Sequence, residues 1–403
     1  MNAEPRFAKS IKAQWPFYAE DECEAVAEVL RKGKVNYWTG DECRQFEREF
    51  AAACGCPHAV ALMNGTLALE AALLALDIRP GSEVVTTPRT FIASASAAAV
   101  RDCIPVLADI DQDSGNITAS PIARVLSPRT AAIIVVHLAG WPCEMDSIME
   151  LAERHGLKVI EDCAQAAGAS YKGRPVGSIG HAGTFSFCQD KIITTAGEGG
   201  MLTTKDRAVW RAAWEYKDHG KSWDAVHNRA HPCDYGFRWH HESFGTNWRM
   251  TEVQAAIGRI HLRKLPQWGR TRRAHMDRLF DQLSGLPALR IPRAPGHIQH
   301  AAYKAYAYVR PEALKAGWSR DRIMAEINEA GVPCQSGSCS EIYQEKAFRS
   351  AGWGPSEALP SAHELGETSL MFLVHPTLTE ADMDECAVRI RKVLEGATRP
   401  GAG

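Results

Sequence analysis

The stretch Gly183–Gly200 reads GTFSFCQDKIITTAGEGG. Its opening run, Thr184-Phe185-Ser186-Phe187, is short, apolar and aromatic, the pattern of a buried strand. That strand leads to one lysine, Lys191, followed by small, turn-forming residues. A lysine at the end of a buried strand is costly, because its charged form loses hydration. Desolvation also makes it give up its proton more readily. A neutral amine of that kind attacks an aldehyde to form a Schiff base. The same residues also fit a surface lysine after a strand, and the stretch alone leaves both readings open.

Working outward, Val159–Gly168 reads VIEDCAQAAG, an apolar strand that runs into Glu161-Asp162 and then Gln165. Asp162 precedes Lys191 by 29 residues, with glycine-rich links between them. That spacing lets two neighbouring strands present the carboxylate and the amine at one sheet edge. A carboxylate facing a pyridine nitrogen and a lysine facing an aldehyde are what pyridoxal 5′-phosphate (PLP) requires. Charge pairing with Asp162 would keep the ring nitrogen protonated.

Three stretches carry a resemblance. EDCAQAAGASYKG (161–173), FSFCQDKIITTAGEGG (185–200) and GTNWRMTEVQAAIG (245–258) resemble, in order, the signature segments of the DegT/StrS family of sugar aminotransferases. The resemblance runs from about Trp15 to Arg391. It implies a fold type I PLP-dependent α/β transferase. Its large domain would hold a mostly parallel seven-stranded sheet flanked by helices, and a small α+β domain would follow. It implies Lys191 and Asp162 as catalytic residues. Gly65 and Thr66 would lie at the PLP phosphate, Phe91 would stack on the ring, and Gln165 would bond the ring oxygen. Ser186 would bind the phosphate, and Asn247 would reach the phosphate site of a neighbouring subunit in a homodimer. The substrates implied are L-glutamate and a keto sugar, most often nucleotide-linked. Two local departures stand out: Asn64 where the family usually has Ser, and Cys188-Gln189-Asp190 before the lysine.

The residues have readings of their own beside those roles. His58–Leu62 is a short strand entering Asn64-Gly65-Thr66 and then an apolar helix. Amides at a helix N-terminus reached through glycine form an anion site, though a tight turn with a Thr cap fits equally. Phe91, at the opening of a helix after Pro88-Arg89-Thr90, suits either ring stacking or a core. The aromatics of Val35–Gly40 suit either a sugar-binding rim or a loop anchor. The loop Cys334–Cys339 is a candidate wall of the sugar site.

Strands such as AAIIVV (131–136) are apolar throughout, as in a sheet covered on both faces. Strand and helix alternate, which points to an open α/β sheet with ligands beyond the carboxyl ends of its strands. The boundary between the large domain (15–262) and the small one (263–398) is expected in the basic segment LRKLPQWGRTRR, at the start of a connecting helix. Tyr216–Ser243 reads as a long loop or excursion, which the resemblance implies covers the site.

The 403 residues suffice for two cores, and a net charge of −2 suggests neither nucleic acid nor an anionic membrane as partner. No signal peptide or membrane span is expected, so the location expected is cytoplasmic. The twelve cysteines show no CxxC pair, and the neighbours His240 and His241 point apart on a strand, so no metal site is expected. Rival readings are a keto-cyclitol aminotransferase and a regulatory protein on the same scaffold. Relatives that dehydrate sugars replace the lysine with His, and a cysteine desulfurase would have only Cys339 to offer.

Overall fold

Seven strands form the central sheet, in the order His58–Leu62, Gly200–Thr204, Ala182–Ser186, Lys158–Asp162, Thr130–Val136, Glu83–Thr86 and Ile104–Leu107. The computed structural model describes residues 11, 14–228 and 239–401. Gly200–Thr204 pairs antiparallel with both of its neighbours, and every other pairing in the sheet is parallel. The α/β architecture expected from the sequence is therefore the one observed.

Strand alternation sorts the core onto two faces. Ala132, Ile134 and Ile160 pack with Leu69 and Leu73 of the helix Gly65–Ala75 and with Val209 and Trp214 of Arg207–Lys217. Ile133, Val135 and Val159 face the other way, against Ile148 and Leu151 of Met145–His155. Both faces are covered, which is why these strands read as unbroken apolar runs.

A second, antiparallel sheet follows, in the order Leu289–Arg290, Ala305–Val309, Ser369–Phe372 and Cys334–Gln335. Its core joins Leu370 and Phe372 to Ile323 and Ile327, and to Ile390 and Leu394 of the helix Glu380–Ala397. That helix opens with a capping box. Asp382 N donates to Thr379 Oγ1 at 3.1 Å, and Thr379 N donates to Asp382 Oδ2 at 2.9 Å.

The helix Glu252–Leu283 is continuous through the 262/263 boundary expected from the sequence, with Pro266 inside it. Pro266 has no N–H for the Leu262 carbonyl, and so reads as a break. Packing against the helices Glu20–Lys32, Glu42–Ala53 and Glu380–Ala397 keeps the segment helical. The Tyr216–Ser243 segment includes a short helix, Trp223–His227, and residues 229–238 of it lie outside the described residues. Among the described residues no helix is long and apolar enough to cross a membrane.

Candidate active site

The strands His58–Leu62, Lys158–Asp162 and Ala182–Ser186 end at one edge of the sheet. Leu62 and Ser186 both stand opposite Gly200, and Asp162 stands opposite Thr184. At this edge lies a cavity of about 560 Å³. Gly65, Thr66, Phe91, Asp162, Gln165, Ser186 and Lys191 all line it. These are seven of the eight site residues expected from the sequence.

The helix Gly65–Ala75 starts directly beside Ser186. Asn64, in the position usually held by Ser, still caps it, with Leu67 N donating to Asn64 Oδ1 at 2.9 Å. The amides of Gly65 and Thr66 open the helix, where no intrahelical carbonyl reaches them. The fit depends on glycine. A Cβ at Gly65 would stand 2.6 Å from Ser186 Cβ, and one at Gly200 would stand 2.2 Å from the Asn64 carbonyl oxygen. What faces the cavity here is thus backbone N–H and a hydroxyl, a cradle suited to an oxyanion.

Asp162 is buried at its strand end. Its Oδ2 accepts from Ser94 Oγ at 2.8 Å and its Oδ1 from Ala164 N at 3.1 Å. Burial raises its carboxyl above the usual range, against the pull of these donors and of Lys191. A cation facing Asp162 would reverse that burial effect. Gln165 Oε1 accepts from Ala139 N at 2.7 Å, which leaves its amide N–H groups for other acceptors. Phe91 lies at the cavity mouth, 69% exposed, which excludes the core reading.

The strand expected to lead to Lys191 ends at Ser186, and Lys191 sits on the turn that follows. Its carbonyl accepts from Trp15 Nε1 at 2.9 Å, and its Nζ stands 5.1 Å from the centre of the Tyr303 ring. Asn247 does not line this cavity; it is exposed, and its Oδ1 accepts from Arg249 N at 3.4 Å. Gln335, Gly337 and Ser338 do line it, so the polar loop expected as a wall is in place. Tyr37 and Trp38 instead anchor their loop. Trp214 Nε1 donates to Tyr37 Oη at 3.0 Å, and Trp38 Nε1 donates to Asp218 Oδ2 at 2.8 Å.

His137, Glu161 and Cys163 place ligand-type atoms within 4.8 Å of one another. Hydrogen bonds already occupy these groups. His137 Nδ1 accepts from Cys143 N, and Glu161 accepts from the amides of Gly177, Ile179 and Gly180 as well as facing His137. Burial would raise the Glu161 carboxyl, but His137 and these amides outweigh it and hold it low.

Residues 16–391 match the model of the DegT/DnrJ/EryC1/StrS aminotransferase family. The chain belongs to that family. It is a PLP-dependent transaminase. Its fold superposes on the X-ray structure of the aminotransferase from Psychrobacter cryohalolentis with a TM-score of 0.94 and 54% identity, over 96% of this chain and 99% of that one. It is 35% identical to the UDP-N-acetyl-3-dehydro-alpha-D-glucosamine 3-aminotransferase of Acidithiobacillus ferrooxidans, over 90% of this chain and 91% of the relative. It is 36% identical to the GDP-perosamine synthase of Caulobacter vibrioides, over 87% and 89% respectively.

The cavity of this aminotransferase also holds residues that sequence reasoning missed. Ser94 steadies Asp162 from an alanine-rich helix that gives no chemical signal. Tyr303 and Lys304 come from the second sheet's side of the cavity, and Tyr303 Oη donates to Asp190 Oδ2. Their only signal in the sequence was a lysine placed at the start of an apolar strand, in AAYKAYAYV.

Proposed function

We propose that this aminotransferase moves an amino group from L-glutamate to a nucleotide-linked keto sugar, a 3- or 4-keto-deoxyhexose, in cytoplasmic amino-sugar biosynthesis. The observation that carries the reading is the meeting of Asp162, Ser186, Lys191 and the Gly65–Thr66 helix start in one cavity. Sugar as acceptor rests on the relatives, whose names specify a UDP-linked and a GDP-linked sugar. Their identities are nearly equal, so the proposal is for the class of nucleotide-linked keto sugars.

The residues fit PLP. A cradle of amides and a hydroxyl, into which a Cβ would intrude, lies on the same cavity wall as a buried strand-end carboxylate and a lysine. Bound there, PLP supplies the electron sink that lets the donor's α-proton leave. The Gly65 and Thr66 amides and Ser186 Oγ would hold its phosphate. Asp162 would hold the positive charge of its ring nitrogen, Gln165 would donate to its ring oxygen, and Phe91 would cover its face. Lys191 Nζ would anchor it. Once displaced by the donor, that amine would take the proton from the donor's α-carbon and give it back as acid. Asn247, exposed and off its own cavity, would reach the phosphate site of a second copy. The exposed Phe244 nearby suits such an apolar contact.

The test is a visible spectrum in two steps. The PLP-loaded protein should bleach with L-glutamate, and one member of a panel of nucleotide-linked keto sugars should restore its colour. Recovery only with a keto-cyclitol would replace the acceptor class, and failure to take up PLP would overturn the reading. Lys191→Ala should show no turnover above background. Turnover near that of the wild type would remove Lys191 from its role.

A further inference from the structure

Lys304 is a second amine of the cavity. It lines the same cavity wall as Lys191, and its Nζ stands 4.8 Å from the Tyr303 ring centre, against 5.1 Å for Lys191 Nζ. Among the described residues, no carboxylate or carbonyl hydrogen-bonds it. The groups facing it carry more positive than negative charge, the Asp190 carboxylate standing against the cations Lys191 and Arg272. From the turn, Asp190 already accepts from Tyr303 Oη, and Lys191 adds a second amine. From the long helix, Arg272 lies buried against the Trp15 ring, with its Nε and Nη2 also lacking acceptors. His375, beyond the strand Ser369–Phe372, is held neutral by burial at about 3.

The charges of PLP have partners elsewhere: Asp162 for the ring nitrogen, and the helix start with Ser186 for the phosphate. The Lys304 wall therefore keeps a surplus of cation. Lys304 is half-buried, and a half-buried cation without a hydrogen-bonded counter-ion gains from a ligand anion. Lys191 works at the donor's α-carbon, and the α-carboxylate is one bond from that carbon. Lys304 and Lys191 line one cavity, and each amine stands against the Tyr303 ring, so a single bound molecule can meet both. We infer that Lys304 is the donor-binding residue, its ammonium taking the α-carboxylate of the amino donor; the inference rests on L-glutamate as that donor. Burial lowers the Lys304 amine to about 8, which agrees with an ammonium that awaits an anion.

The test uses the PLP-loaded protein with Lys304→Gln and Lys304→Arg, each first shown to take up PLP. Lys304→Gln should raise the half-saturating L-glutamate for bleaching by roughly ten- to a hundredfold and leave the acceptor dependence unchanged. It should also lose the wild-type preference for L-glutamate over 4-aminobutanoate, which lacks the α-carboxylate. Calorimetry with glutarate, which lacks the amine, should show binding weakened by a similar factor. Lys304→Arg should restore binding. In the wild type kcat/KM for glutamate should fall above about pH 8, where the free amine loses its charge, and Lys304→Arg should move that limb upward.

Unchanged glutamate dependence in Lys304→Gln would overturn the inference. So would a loss confined to the acceptor half, which would assign the cation to the sugar nucleotide's phosphates. Failure of the wild type to bleach with glutamate would sink the donor assignment, and this inference with it. Normal bleaching with an indifferent Lys304→Gln would sink only the role of Lys304.

Discussion

An alanine at position 65 would bring its Cβ to 2.6 Å from Ser186 Cβ and 3.1 Å from Ser186 Cα. The second atom is backbone, so the helix start or the strand end must shift. Overpacking of that kind costs about 1–3 kcal/mol. Gly65→Ala should therefore lower the melting temperature of the PLP-free protein and weaken PLP uptake more than tenfold, read by spectral titration. Wild-type affinity in this variant would mean the helix start is no part of the phosphate site. A second prediction concerns pH. Burial lowers His300 to about 3, and its Nδ1 accepts from Ala302 N at 2.7 Å, which a charged ring cannot do. Its folded pKa lies below the unfolded one, so its stabilising effect is complete above about pH 6.5 and is lost as pH falls toward 3. His300→Asn keeps an acceptor for an i+2 amide and does not titrate. Between pH 6 and 5 its stability should fall less steeply than that of the wild type, by about 1.4 kcal/mol per pH unit in urea unfolding. Equal slopes would remove His300 as the source. Asp162, Ser186 and Lys191 were legible because each lies at or just beyond the end of a strand readable by its own apolar run. Lys304 was not, because only the second sheet's docking brings a residue so distant in sequence onto the wall that holds Lys191.

The helix Glu42–Ala53 starts without a side-chain cap of its own, since Asp41 makes none. Glu252, fully buried in the first turn of the long helix, takes that place across the fold. Its Oε2 accepts from Glu42 N at 2.5 Å and its Oε1 from Cys43 N at 3.3 Å. A carboxylate there satisfies two orphan amides and meets the positive end of the helix dipole. Gly40 leaves it room, because a Cβ at that position would stand 2.2 Å from Glu252 Oε2. Glu252→Ala should destabilise the protein by about 2 kcal/mol, with Glu252→Gln milder, as measured by urea midpoints. No change in either variant would mean that water replaces the carboxylate at no cost. Elements made visible by local patterning, such as the strands His58–Leu62 and Thr130–Val136, lie where their apolar runs were read. Capping in trans leaves no local mark, and the Pro266 helix shows the opposite failure, in which a local breaker is overridden by packing on several sides.

At the scale of the whole molecule, Asn247 is the residue whose place in its own chain explains least. Its backbone bridges Asp218, its side chain is exposed, and the cavity of its own chain does not include it. A site completed by a second copy makes a quantitative prediction. Take Lys191→Ala, which lacks the proposed base, and Asn247→Ala, which lacks the residue proposed to cross, each expected to be nearly inactive alone. In a mixed dimer the Asn247→Ala chain keeps its own Lys191 and receives Asn247 from the other chain, so that site is intact. The second site carries both lesions. Random pairing makes half the dimers mixed, with one intact site of two in each, so co-expression should recover about a quarter of wild-type activity. Separately tagged chains purified through both tags should reach about half. No recovery would place Asn247 in the service of its own chain, and full activity of Asn247→Ala alone would remove it from the site altogether. Recovery near the expected fraction would establish that the transaminase works as a dimer and that each cavity is finished from across the interface.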